Sequence, residues 1–256
     1  MTQLSKYFSR SRFKTLHLFN LIAFLLLLVI GCALGLGLVS ATSFVPLAGS
    51  SLLSTFLGAS FAFHLNTQKD LNKEQDQRIA ALQTALFILA QQFNAVGGSW
   101  KSIAKWGKEP HRWVNMPAMG QPDYKNLQQD FSSLAFILAE DAQLLLDLSV
   151  EDERFLQLLR SMKERSDFYT KEIHEAIEKA RAGKTQMSLP DLRTGLGDRL
   201  FFGAQSRTDD VFMHVTESMK SLPGVANRLR TYAKAKYPEA KFLVVELEDG
   251  SVPPIA

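Results

Sequence analysis

A chain of 256 residues with 29 Lys and Arg, 26 Asp and Glu and a formal net charge of +3 has room for a small membrane region and a soluble region with its own core. Four of those cations (Lys6, Arg10, Arg12, Lys14) precede Thr15 with no acid among them, leaving 25 cations against 26 acids in the rest. The positive excess is therefore a terminal feature, which argues against a basic surface for nucleic acid, and the single cysteine, Cys32, excludes an intrachain disulfide.

From Thr15 to Gln68 there is no Asp, Glu, Lys or Arg over 54 residues. A hydrocarbon core of ~30 Å takes about 20 apolar residues per helix, so this length suits two spans, residues 16–39 and 44–65, divided at Ser40-Ala41-Thr42-Ser43. The basic tail, residues 1–15, marks the cytoplasmic side. The short loop then lies outside and everything after residue 65 lies inside: a two-pass hairpin of a bacterial inner membrane with both termini cytoplasmic. Two other readings compete. Val39-Ser40-Ala41 looks like a signal-peptidase site, but the apolar run before it exceeds the 7–15 residues of a cleaved signal. Val29-Ile30-Gly31-Cys32 looks like a lipobox with Cys32 acylated, but the chain stays apolar where a lipoprotein would continue as a polar tether.

Small residues mark faces within both spans. Gly31 and Gly35 form a small-xxx-small pair, and Ser50, Ser54, Gly58 and Ala62 follow at i+4 spacing. Such stripes let helix backbones approach, and the hydroxyls bond across the contact. The expectation is packing of the two spans on each other, or between copies around a narrow polar path. The spans carry no charge of the kind that marks a proton or ion pathway. His17 and His64, near the cytoplasmic ends, read as structural.

Beyond the membrane the pattern is helical. Ile79, Leu82, Leu86, Leu89, Phe93 and Val96 alternate three and four residues apart, as in a coiled-coil seam, and no Gly or Pro interrupts residues 59–96. The second span is expected to continue as this helix, without a flexible joint, until Gly97-Gly98. A connector, residues 99–122, carries three prolines and all three tryptophans. Trp100, Lys105, Trp106, His111, Arg112 and Trp113 mix aromatic rings with cations, a composition that serves either as a ligand or partner surface or as aromatic caps on the core.

A second long helix is expected over residues 123–147, with Leu127, Phe131, Leu134, Leu138 and Leu145 inward. A capping box at Ser149-Val-Glu-Asp152 then opens a third helix to about residue 182, stopped by Gly183. Residues 184–204 read as an irregular connection. A second capping box at Ser206 and a start at Pro223 give two shorter helices, and Lys241-Phe-Leu-Val-Val-Glu-Leu247 reads as a short strand. A lone strand cannot satisfy its own backbone, so this run adds to another chain, covers a hydrophobic groove or is a tail that folds on binding, and an intersubunit or partner contact is expected there.

The fold class expected is an all-α membrane protein: a two-helix transmembrane hairpin (residues 16–65) continuing into an antiparallel bundle of long helices (residues 66–183), then a smaller helical region with a terminal strand (residues 184–256). No nucleotide loop, nucleophile elbow, zinc motif or Cys/His cluster occurs, so no catalytic residue, metal or cofactor is assigned and no nucleic acid is expected. The partners expected are the lipid bilayer and either further copies of the chain or a membrane complex. Three functions follow. The first is a non-enzymatic membrane protein whose cytoplasmic domain binds a partner or senses a signal. The second is a membrane-perturbing effector gated by that domain. The third is an accessory subunit of a larger complex.

Overall fold

The computed structural model describes residues 44–120, 124, 126–181 and 188–245, with side chains of the first helix from Leu53 onward. The basic tail, the first span with Gly31, Cys32 and Gly35, and Gly183 lie outside the described residues. So do residues 246–256 and the side chain of Ser50. Every regular element among the described residues is helical. The chain divides into two units, Met1–Glu74 and Gln75–Ala256.

Helix α1 (Phe44–Ile103) contains the division. It is long and apolar enough to cross a membrane. Two stretches of α1 differ sharply. Leu53, Phe56, Phe61, Phe63 and Leu65 are exposed, whereas Leu82, Leu86, Leu89 and Val96 are completely buried. The helix runs through Gly97-Gly98 instead of ending there. Buried Val96, Ser99 and Ile103 hold this last stretch against the core, which outweighs the ~1 kcal/mol that each helical glycine costs.

In the second unit a 3₁₀ turn (Ala104–Trp106) and the short α2 (Arg112–Asn115) follow α1. The expected helix over residues 123–147 does not form. Residues 126–141 make successive turns around a second 3₁₀ turn, Ala135–Ile137. Asp130 explains part of this, since its carboxylate accepts from the Ser132 amide (3.1 Å) and hydroxyl (2.5 Å), local bonds that compete with a helical ladder. The turns still deliver buried Leu134 and Ile137 to the core.

Helix α3 (Ala142–Phe168) begins at Asp141, whose side chain accepts from the Leu144 amide. It passes without interruption through residues 148–149, where the second expected helix was to give way to the third. Ser149-Val-Glu-Asp152 is therefore not a cap: it lies inside α3, with Glu151 and Asp152 buried. A π turn (Tyr169–Ile173) leads into α4 (His174–Arg181).

The region expected to be irregular is helical from Leu189. Ser188 caps α5 (Leu189–Lys236) in a reciprocal box with Asp191. One break occurs, at Gly197, whose φ of 74° is a conformation that other residues adopt only with strain. Neither Ser206 nor Pro223 starts a helix; both lie inside α5. Pro223 is buried along with Met219, Leu222 and Ala226, a packed face that carries the helix past a residue that normally breaks it. Gly195 has a steric role instead: a Cβ there would stand 2.7 Å from Ala180 Cβ on α4.

Cross-links give the directions. Asp147 meets Arg228, Glu151 meets Ser221 and Arg165 meets Thr208, so α3 and α5 are antiparallel. Gln92 meets Asp152 and Ser99 meets Met162, so α1 and α3 run parallel. The connector makes this possible by running back along α1. Gln92 reaches Leu127, Gln129 reaches Ala85, and Arg78 lies over the Phe136 ring. The first core contains Leu86, Leu148, Phe155, Val215 and Leu229. A second contains Trp113, Phe168, Ile173, Leu196 and Phe201.

No strand occurs among the described residues. Lys241–Val245 is non-helical, with Phe242 and Val245 buried in the first core and Leu243 and Val244 exposed. A single β-prone segment without a neighbouring strand cannot complete a ladder, and here it packs by side chains instead.

Candidate functional site

Of the small-residue stripe, Ser54, Gly58 and Ala62 fall where side chains are described, and all three are exposed. A Cβ on Gly58 would meet nothing within 4 Å among the described residues. Among the described residues, nothing covers this helical face.

The six aromatic and basic residues of the connector occupy separate environments. Trp113 enters the second core, edge-on to Phe201 with centroids 4.9 Å apart. Trp100 and Trp106 border the first core. Lys105 lies over its neighbour Trp106 at 4.9 Å. Arg112 pairs with Asp209 at 2.7 Å, donates to the Gly107 carbonyl at 3.0 Å and lies 4.3 Å from the Phe212 ring centre. His111 is exposed, and its carbonyl accepts the Val114 and Asn115 amides that start α2. Only the Lys105–Trp106 pair among the six stands in direct contact by these interactions.

The polar chemistry at the centre of the second unit comes from other residues. Gln92, completely buried, donates from Nε2 to Asp152 Oδ1 at 2.8 Å and to the Leu127 carbonyl at 2.7 Å. The Gln129 amide also donates to Asp152 Oδ1 (3.2 Å), while its side chain donates to the Ala85 carbonyl (3.1 Å). One carboxylate thus ties α1, the connector and α3 together. Burial pushes Asp152 above the ordinary carboxylate range, and the donors from Gln92 and Gln129 oppose that shift without cancelling it. Neighbouring Glu151 is raised for the same reason, although Ser221 and Arg154 donate to it at 2.7 and 2.6 Å.

Arg165 is the second buried charge, 2% exposed. Its guanidinium donates to the carbonyls of Met116 and Pro117 and, at 3.5 Å, to Thr208 Oγ1. Burial lowers its pKa to about 10, so it remains charged at neutral pH. The side chain fastens the connector to α3 and α5. Met119 is held beside it through its amide and carbonyl, both bonded to the Ser166 hydroxyl.

Next to the Gln92–Asp152 lock is an open groove of about 410 Å³, lined by Gln91, Asn94, Ala95, Tyr124, Asn126 and Leu127. These linings offer amides and a phenol without charge. Among the described residues no group of His, Cys, Asp and Glu is arranged to hold a metal ion.

Sequence reasoning missed Gln92, Gln129 and Arg165 and misplaced Asp152. One signal was available: Gln92 interrupts the apolar face between Leu89 and Val96, and a polar residue on a core face needs a partner. The identity of that partner, 60 residues away, has no local signature. Comparison with protein-family models, with curated proteins and with solved structures finds no match for this chain.

Proposed function

We propose that the protein is a non-enzymatic two-pass protein of a bacterial inner membrane, with both termini in the cytoplasm. Its spans associate with those of further copies, and its helical domain binds a partner or senses a signal. The observation that supports this most is the contrast within α1. Before Lys69 the helix has large apolar side chains, Phe56 and Phe63 among them, exposed at 69% and 75%, with no charge to solvate them. A continuous apolar face of this kind needs a cover, and a bilayer supplies one for a segment of this length. The basic residues 6–14 favour the N-in orientation.

The open stripe of Ser54, Gly58 and Ala62 supports the contact between copies and also a second reading, in which the oligomer perturbs the membrane when the cytoplasmic domain rearranges. Gly58→Leu separates the outcomes. In detergent, the variant is expected to fall from an oligomer to a monomer by mass analysis, because a bulky side chain prevents close backbone approach. An unchanged oligomer would remove the stripe from the account. Loss of membrane potential on overexpression, abolished by the same substitution, would favour the effector. A normal potential together with a stably co-purifying protein would favour a scaffold or an accessory subunit.

A further inference from the structure

Asp152 is a buried acid without a counter-charge. It is 8% exposed on α3, and the groups bonded to it are neutral: Gln92 from α1 and the Gln129 amide from the connector. Glu153, the next residue, is the charge that acts on it, and it opposes ionisation. The other ionisable groups around this joint are engaged elsewhere. Arg154 pairs with Glu151 at 2.6 Å, and on α5 Ser221 also faces Glu151 while Lys220 pairs with Glu217 at 3.6 Å. On the connector, Asp130 is bonded to Ser132, and the Tyr124 ring lies 6.1 Å from that of Phe155.

The cluster is also short of donors. The Nε2 groups of Gln92 and Gln129 serve Asp152 and the Leu127 and Ala85 carbonyls. The Oε1 atoms of both glutamines are buried with no donor among the described residues. A carboxylate only accepts hydrogen bonds, whereas a carboxylic acid also donates one. A proton on Asp152 therefore removes an uncompensated buried charge and adds a donor where donors are lacking. Both changes favour the arrangement in which α1, the connector and α3 stay together. The connector here is a run of turns without a helical ladder, so these few bonds carry its position. Burial raises the Asp152 pKa, which fixes the sign. Opening exposes the carboxylate to water, so it becomes easier as pH rises from the ordinary carboxylate range, and the effect levels off above the raised pKa.

We propose that this buried joint is a proton-sensing site: the domain holds its connector against α1 and α3 when Asp152 is protonated and loosens it when Asp152 ionises. This names the signal for a domain that senses one, and so rests on that reading. It requires neither the bilayer nor the contact between copies.

The test uses the full-length chain in detergent with Cys32→Ser and spin labels at Thr84→Cys on α1 and Gln128→Cys on the connector, both exposed positions. Label-to-label distances are measured by pulsed electron paramagnetic resonance from acidic to alkaline pH. The expected result is a single short distance in acid and a longer, broader distribution at higher pH, levelling off only above the ordinary carboxylate range. Asp152→Asn, uncharged and carrying a donor, is expected to keep the short distance throughout, and Glu151→Gln to leave the response in place. A parent distribution that does not change with pH overturns the proposal, as does a response that persists in Asp152→Asn. Loss of helix by circular dichroism alongside the distance change would make the event global unfolding and would equally overturn it. Any of these results leaves the membrane reading standing, and an oligomer that survives Gly58→Leu leaves this proposal standing.

Discussion

Replacing Arg165 with Met is expected to destabilise the second unit by about 3 kcal/mol, one of two large effects anticipated from its buried polar groups. Hydrogen bonds from a charged donor contribute ~1.5–3 kcal/mol, and a stranded buried acceptor costs about 1–3 kcal/mol. Arg165 serves the Met116 and Pro117 carbonyls together, so its loss leaves two acceptors without their donor. Relief from burying a charge offsets part of this. For a domain of this size, melting should fall by roughly 10 °C. Arg165→Lys is expected to recover little, because a point ammonium does not reproduce the planar fork. Thermal melts followed by far-ultraviolet circular dichroism and by tryptophan fluorescence check this. The fluorescence should change most, since Trp100, Trp106 and Trp113 all lie in or beside the stretch that Arg165 fastens. Equal stability of parent and Met variant would mean that the connector is held by its apolar contacts alone.

Asp152 gives the second large effect, with a sign that depends on the substituent. Asp152→Ala removes the acceptor shared by Gln92 Nε2 and the Gln129 amide, leaving two buried donors and a small cavity, a loss of about 2–4 kcal/mol. Asp152→Asn keeps an acceptor oxygen and removes the buried charge. Because the folded-state pKa of Asp152 is raised, its carboxylate disfavours the fold above that pKa, and the penalty fades as pH falls through it. The Asn variant should therefore match or exceed the parent near neutral pH and lose that advantage on acidification. Glu151 is raised as well, but it is common to both proteins. Lys236 and Tyr232 hold Glu140 below its ordinary range, so its contribution falls as pH drops, again equally in both. The difference between the two denaturation profiles thus isolates Asp152. An Asn variant as unstable as the Ala variant at every pH would contradict the role assigned to the carboxylate.

The sequence carried the pattern of α1 well. Leu82, Leu86, Leu89 and Val96 occupy one face because their three- and four-residue spacing admits one helical solution, and they form the core. The same spacing misled at residues 127–138. There Leu127, Phe131, Leu134 and Leu138 reach inward or outward through a series of turns that happen to repeat at the helical interval, with Asp130 competing locally for the backbone. The two apparent capping boxes failed for another reason. Ser149 and Ser206 have the right neighbours, but the helices they interrupt are held through by contacts distant in sequence: Glu151 to Ser221, Asp152 to Gln92, Arg165 to Thr208. Local capping is worth about 1 kcal/mol, less than the buried face that runs past it. Pro223 and Gly97-Gly98 yield to packing in the same way. Ser188-Asp191, a box of the same type at a true terminus, does start its helix.

The candidate site was legible only as composition. The mixture of tryptophans and cations marked the connector, but the pairing of Arg112 with Asp209 and the burial of Trp113 against Phe201 follow from where α5 lies. The β-branched run near the C-terminus announced an extended segment in need of a partner; the partner on which it rests is its own chain, reached through Gln83.

The account as a whole rests on the apolar half of α1 lying in a bilayer. Alkaline carbonate extraction of membranes from bacteria expressing the full chain tests this most directly. The protein should sediment with the membranes at high pH and enter the soluble fraction only with detergent. Release by carbonate alone, or recovery in the cytosol before extraction, would contradict it.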